Sequence, residues 1–460
     1  MDFPVFHLDF FGNRMLIAVI AVLHVVVNHA CAVGAMPLVT SMEWFGFRRG
    51  EPEWDRLAHR LLFVFFVITT SVGALTGVGI WFSAALVNPN AIGSLIRVFF
   101  WVWFIEWIVF VSEVILILAY YLLWPKWTGD RKVWHIRLGV VLSVASWLTM
   151  VLIVGILAFK MDPGLWRVDR TLGSAYFNPV FLPQLLFRTP MAMVMAGAAV
   201  LFLIPFLTKD DAALRARATR FASLWMLAWA PVLALGSLWY HRVIPSLMAA
   251  NIPVALTTVQ FQALYGKILW FIALSLGALV LASLAGILRP GRVPALAWVV
   301  PAVLVVILTG QFERTREFVR KPYVLGGYMY ANGIRVEEYP LLAKEGLLAR
   351  SSYAAVRRVE PGREAEAGRE VFRLACTRCH TLHGVNALPD RLRILYGPGP
   401  WDAGVIDRYL ATIHGARPFM PPVPGTAQER AALAAYLAGL SANPDWMEGA
   451  QTAGLPVGNP

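Results

Sequence analysis

Cysteine is scarce: the 460 residues hold three. That excludes the disulfide framework that staples small secreted domains. Charge is scarce too, 15% of residues against 58% hydrophobic. One soluble domain cannot hide so much apolar surface, so the balance points to a lipid bilayer. Acidic residues are outnumbered, 28 against 40 Lys and Arg, for a net charge of +12. The surplus falls largely on connections between apolar runs, so it reads as membrane topology and not as a nucleic-acid surface. No small-residue cleavage site follows the first apolar run, which is too long for a removable signal and is expected to insert as an uncleaved helix. No internal repeat stands out.

Two of the cysteines share one motif, Cys376-Thr377-Arg378-Cys379-His380. C-x-x-C-H is the pattern of c-type haem attachment. Two thiols at this spacing add across the two vinyl groups of one haem, and His380 is then held under the iron as an axial ligand. Downstream, Arg417-Pro418-Phe419-Met420-Pro421-Pro422 offers a thioether on a Pro-stiffened loop. Met opposite His is a pairing that raises the potential. His414 and His383 compete for that sixth position, and the Pro-fixed loop favours Met420. An amphipathic helix near 361–374 leads into the motif. A second, 426–440, carries Ala432, Leu433, Ala435, Tyr436 and Leu440 on one stripe. The segment resembles a class I cytochrome c, in which the haem forms part of a small core. The third cysteine, Cys31, falls in an apolar run and reads as a buried small hydrophobe.

Eight apolar runs, about 15–39, 60–86, 96–123, 136–159, 190–207, 219–240, 265–288 and 294–311, approach or exceed the roughly twenty residues that cross a bilayer. Connections after runs 1, 3, 5 and 7 carry Arg48, Arg49 and Arg56; Lys126, Arg131 and Lys132; Lys209, Arg215 and Arg217; Arg289 and Arg292. Connection 88–94 carries none and 241–264 has Arg242, while 160–189 breaks the pattern with Lys160, Arg167, Arg170 and Arg188. The bias puts the odd-numbered connections inside and both termini outside. Residues after 312 then emerge on the outer side, where bacteria are expected to attach haem covalently. The expected fold class is all-α: a polytopic transmembrane helix bundle, N-out and C-out, plus a small α-helical cytochrome c domain. Its parts are a transmembrane domain over 1–311, an extracytoplasmic linker over 312–350, the cytochrome c domain over 351–445 and a flexible Gly/Pro-rich tail over 446–460. The location is a bacterial inner membrane, with the cytochrome c domain periplasmic.

Ionisable groups inside spans are costly, so each is a functional candidate. His24 and His29 lie in the first run, Glu106 and Glu113 in the third. Seven residues apart, the two carboxylates share a helix face, two turns apart. Proton conduction competes with buried pairing to Arg or His as their role. For a midmembrane His, a haem ligand competes with a structural hydrogen bond. His241 sits at the outer end of run 6. His59 and His135 sit at inner ends and are expected to snorkel into the interface, and His7 precedes run 1. Trp101, Trp103 and Trp107 read as belt and packing residues.

These runs resemble subunit I of the cytochrome bd quinol oxidases over roughly residues 1–325. Arg14-x9-His24 is similar to the segment that bears the axial His of that family's active-site haem. Gly73-Ala74-Leu75-Thr76-Gly77 resembles its Gly-x-x-Thr-Gly. Glu106 and Glu113 fall where it carries proton-delivering carboxylates, and Glu317-x-x-Arg320-Lys321-Pro322-Tyr323 resembles its Glu-x-x-Arg-Gln-Pro-Trp. The resemblance implies one or two b-type haems, on His24 and His241, beside one covalent haem c. It also implies a further membrane subunit, with quinone as a candidate partner. There are departures. The His and Met of the family's low-spin haem fall at Arg188 and Leu269, and the quinol loop shrinks to about 241–264. The family's span-8 Glu has no clean counterpart, with Glu313 nearby. The implied protein is a subunit of a haem-containing membrane oxidoreductase. It passes electrons between an extracytoplasmic haem c and membrane haem b, with or without reduction of oxygen. The rivals are a relay anchor for a periplasmic dehydrogenase or reductase, and a haem-free tether.

Overall fold

The structure, a computed structural model, describes residues 3–256 and 265–441. Among these residues eight helices are long and apolar enough to cross a membrane. They are α1 (Asn13–Arg49), α2 (Pro52–Val87), α3 (Pro89–Leu123), α4 (Gly129–Phe159), α5 (Phe181–Leu207), α6 (Ala212–Val243), α7 (Tyr265–Leu288) and α8 (Ala295–Val319). The chain is a multi-pass, helical membrane protein. Hydrocarbon offers backbone groups no partner, and a helix satisfies them within itself.

Most helices outrun the apolar stretch that announced them, because they continue with polar turns. The first ends Phe47-Arg48-Arg49, and Gly50 closes it in the left-handed region at φ 68°. A second clear difference is α5. Its apolar run starts at 190, but the helix starts at Phe181, with Arg188 and Pro190 inside it. Arg188 therefore leaves the 160–189 connection, which weakens the one exception to the charge pattern. Two π-helical turns, Asn28–Val33 in α1 and Thr69–Gly73 in α2, pack against each other. Such turns recur at functional sites. Just after the first, Gly34 meets the backbone of Ala192 on α5 so closely that no Cβ fits. Cys31 is buried there, as its apolar setting predicts.

The chain divides into two compact units. One holds Ala18–Trp81 and Ser94–Arg320, which is the bulk of the bundle. The other gathers the described residues of Met1–Ile17, Phe82–Gly93 and Lys321–Pro460. Residues 312–350, expected as a polar linker, carry defined structure: the last turns of α8, then an antiparallel hairpin of β1 (Tyr323–Leu325) and β2 (Met329–Tyr330). Short helices Tyr339–Glu345 and Leu347–Arg350 follow. Glu429 accepts hydrogen bonds from the backbone N–H groups of Leu347 and Leu348 at 2.9 and 2.8 Å, tying this stretch to the last helix.

Four helices complete that unit: α9 (Glu364–Ala375), α10 (Leu388–Tyr396), α11 (Ala403–Ala416) and α12 (Ala427–Gly439). The apolar stripes of α9 and α12 face each other. Gly368 lies directly under the carbonyl of Ala432, and the rings of Phe372 and Tyr436 meet at 5.8 Å. Thr426 and Glu429 form a capping box that starts α12. The tail over 446–460 lies outside the described residues.

Candidate functional site

In the bundle, the Gly-x-x-Thr-Gly motif of α2 lies on His24 of α1. His24 Nδ1 is 3.2 Å from Thr76 Oγ1, and a Cβ at Gly77 would come within 3.3 Å of the ring. The hydroxyl has one proton, and it points to the carbonyl of Val72 at 2.6 Å. The Thr76 oxygen therefore accepts from His24, which places the imidazole proton on Nδ1. In the neutral ring the lone pair is then on Nε2, the form in which a His ligates metal. Asn28–Val33 and Thr69–Gly73, the π turns, flank this contact.

His29 is used differently. It is buried, and its Nε2 accepts from Arg188 Nη1 at 3.3 Å. Arg188 Nη2 donates to Glu313 Oε1 at 2.6 Å, and Arg316 Nε donates to the other Glu313 oxygen at 2.8 Å. Both Arg188 and Glu313 are buried, so the charges compensate each other where water cannot. This cluster gives His29 a structural hydrogen bond.

Glu106 and Glu113 share a face of α3. Glu113 is buried and accepts from Ser146 Oγ on α4 at 2.6 Å, while Glu106 is half-buried. His241 stands exposed near the end of α6, without the burial that His24 has. Trp101 and Trp107 are exposed on the bundle, and Trp103 packs on Trp81 at 4.3 Å.

The expected snorkelling of His135 is corrected by the structure, for the ring is fully buried. It stacks on Tyr120 at 4.5 Å, and its nitrogens face Glu43 Oε1 at 2.5 Å and the Tyr120 carbonyl at 2.8 Å. A carboxylate and a carbonyl hold the imidazole more firmly than interfacial water could. His59 likewise turns inward, stacking on Trp124 at 5.1 Å with its Nε2 shielded from solvent. The site residue that sequence reasoning missed here is Glu43. Its signal was available: a lone carboxylate in the apolar stretch Leu38–Phe47.

In the other unit, the Cys-x-x-Cys-His motif follows the end of α9. The N–H groups of Cys379 and His380 donate to the Cys376 carbonyl at 3.0 Å each, folding the motif into a helical turn. Both cysteines are free thiols. Burial pushes the Cys376 thiol up to about 12. Burial, with the charges of Arg14 and Arg391 nearby, lowers His380 to about 4, so its ring is neutral. His380 Nδ1 is shielded and has no hydrogen-bond partner among the described residues. Asn386 donates to the Cys379 carbonyl at 2.6 Å and Thr381 to the Val385 carbonyl at 2.7 Å, closing the loop that follows. His383 lines a cavity with Leu382, Asp390 and Arg393.

The Met420 loop is pinned from two sides. His414 Nδ1 donates to the Met420 carbonyl at 2.6 Å, and Tyr339 Oη donates to the Pro422 carbonyl at 3.2 Å. His414 thus holds the Met420 loop through Nδ1. Among the described residues no three His, Cys, Asp or Glu side chains cluster as a metal site. A haem iron asks for less, one or two axial side chains. A neutral, half-buried His24 with a directed lone pair and a neutral His380 beside two thiols both fit that need.

Comparison with known structures finds the same bundle elsewhere. The structure of bd oxidase from Geobacillus thermodenitrificans is similar with a TM-score of 0.58 and 16% sequence identity, covering 70% of this chain and 90% of that one. The helical bundle therefore has the fold of a bd-oxidase chain. No family profile matches the sequence, and no curated protein does.

Proposed function

We propose that the chain is an electron-transfer subunit of a membrane-bound haem oxidoreductase. Cys376, Cys379 and His380 would hold one c-type haem, with Met420 as a further ligand, and His24 would hold a b-type haem in the bundle. The haems, when bound, supply one-electron redox chemistry. The observation that carries this reading is the Thr76–His24 hydrogen bond, which puts the ring proton on Nδ1 and the lone pair on Nε2. The bd-oxidase fold of the bundle supports it.

The residues then divide the work. Thr76 and Gly77 orient the His24 ring. His414 and Tyr339 hold the Met420 loop. Glu113 and Glu106 take up and pass on the protons that compensate electrons arriving in a low-dielectric interior. Residues 351–441 form the described part of the cytochrome c domain and 1–311 the membrane domain. The Lys and Arg bias supports a periplasmic position for the cytochrome c domain at a bacterial cytoplasmic membrane. There it meets a periplasmic redox protein, and a further membrane subunit lies beside the bundle.

A second reading, a non-catalytic relay for a periplasmic dehydrogenase or reductase, draws on Arg188. Its ion pair with Glu313 fills the position where the resemblance puts a second haem's ligand. One remaining membrane haem suits a relay as well as an oxidase. Carbon monoxide binding to the membrane haem decides between them: binding supports the oxidase, and a low-spin spectrum without binding supports the relay. The common core is tested by His24→Ala, which should abolish the b-type absorbance and leave the c-type signal intact. A persisting b signal would sink the ligand assignment.

A further inference from the structure

The buried cluster around Glu43 has no part in the function proposed above, and its hydrogen bonds define where its protons sit. His135 Nε2 faces the backbone carbonyl of Tyr120 at 2.8 Å. A carbonyl only accepts, so Nε2 carries a proton. The other ring nitrogen, Nδ1, lies 2.5 Å from Glu43 Oε1. Two acceptors cannot approach so closely with nothing between them. One further proton therefore lies on the Nδ1–Oε1 line, on the imidazole or on the carboxyl, and the pair is neutral overall either way. Tyr120 Oη donates to Glu43 Oε2 at 2.5 Å and so holds the carboxyl in place.

The pair is connected to the outside of the bundle. Lys132 Nζ bridges Glu43 Oε1 at 2.6 Å and Asp55 Oδ1 at 2.5 Å. Along that line side-chain exposure rises from 0% at Glu43 through 9% at Lys132 to 33% at Asp55. The ammonium and the Asp55 carboxylate cancel, so the whole cluster can sit in a buried place without net charge. His59, one turn from Asp55, adds at the same end a shielded Nε2 that has no hydrogen-bond partner among the described residues. That end carries Arg48, Arg49, Arg56 and Arg131 and is the inside by the charge rule.

In the other direction the cluster points along α3. Tyr120, Glu113 and Glu106 recur every seven residues on one face, so Tyr120 stands about 10 Å, two turns, from Glu113. Ser146, which donates to Glu113, lies three turns beyond His135 on α4. Between them Gly139 has no side chain. A Cβ there would come within 2.6 Å of Thr40 Oγ1 and 2.8 Å of Tyr120 Oη, so the two hydroxyls keep their place only beside a glycine.

We propose that Glu43 and His135 form a proton-holding relay that loads from the inner surface through Asp55 and Lys132 and discharges toward Glu113 and Glu106. One proton enters at Asp55 for each proton that leaves the pair, and water carries it over the stretch between Tyr120 and Glu113. The inference rests on the reading that electrons enter a membrane haem on His24.

The test is stopped-flow reduction of the purified full-length protein, with a pH-indicator dye reporting proton uptake and absorbance reporting each haem. Glu43→Gln keeps the shape and removes the shared proton. Asp55→Asn acts at the most exposed end of the line and leaves the Glu43–His135 pair in place, and the b and c absorbances report whether each variant is folded. Both should take up protons more slowly, Glu43→Gln by about a hundredfold, with the c signal reduced at its usual rate. Uptake at the unmodified rate in both variants, with b absorbance present, would overturn the relay and leave the function standing. No b absorbance in the unmodified protein would overturn the function, and the relay with it.

Discussion

Arg188 and Glu313 meet inside the bundle at 2.6 Å, the guanidinium 1% and the carboxylate 5% exposed. Breaking one side of such a pair leaves a charge without compensation. Arg188→Leu should destabilise the protein by about 2–3 kcal/mol, less than the roughly 3–5 kcal/mol of a fully orphaned charge, because Arg316 still holds Glu313. Replacing Glu313 by Leu as well should deepen that loss, because the largely buried Arg316 then has no carboxylate opposite it. Thermal unfolding in detergent measures both. A single variant as stable as the parent would show that the pair does not compensate two buried charges.

The hydroxyl of Thr76 acts through the His24 ring. Thr76→Val keeps the volume and removes the hydroxyl acceptor, so the ring loses one of the bonds that fix its tautomer. Partners of this kind are worth about 10–100-fold in metal affinity. Retention of the b-type haem through purification should drop accordingly, with the c signal unchanged. Unchanged b occupancy would mean that Thr76 does not set the tautomer.

Met420 and His414 make separable contributions to one loop. Met420→Ala should lower the potential of the c-type haem, because the thioether favours the reduced iron. His414→Ala removes only the bond to the Met420 carbonyl and should loosen Met ligation without creating a His-ligated spectrum. Potentiometric titration with absorbance detection separates the two. An unchanged potential in Met420→Ala would assign the sixth position to His414 or His383.

Gly368 marks the crossing of α9 and α12. Its missing Cβ lets the Ala432 carbonyl pass. Gly368→Ala should push the helices apart at a cost of about 1–3 kcal/mol, lowering the yield of covalently attached haem. The yield of c-type absorbance per chain reports it.

The bundle was legible in the sequence because long apolar runs have few other uses. Where reading stopped short, a polar group was satisfied by a distant one. Arg188 ended an apolar run on paper, yet the chain keeps it inside α5 because Glu313, 125 residues away, neutralises it. His135 looked interfacial because its partner Glu43 lies 92 residues off in α1. Local spacing shows neither. The His24–Thr76 contact was half legible: both motifs stood out, but which ring nitrogen carries the proton depends on the Val72 carbonyl. The Cys-x-x-Cys-His motif could be read from five consecutive residues, whereas the structured nature of residues 321–350 could not, since it depends on Glu429 reaching Leu347 and Leu348.

The central claim is that this one chain holds both a c-type and a b-type haem. A pyridine haemochrome spectrum of the purified protein, with haem measured against protein, tests it directly. The account predicts one c-type haem and one b-type haem per chain, the second lost in His24→Ala. One c-type haem alone would contradict it and reduce the eight helices to an anchor.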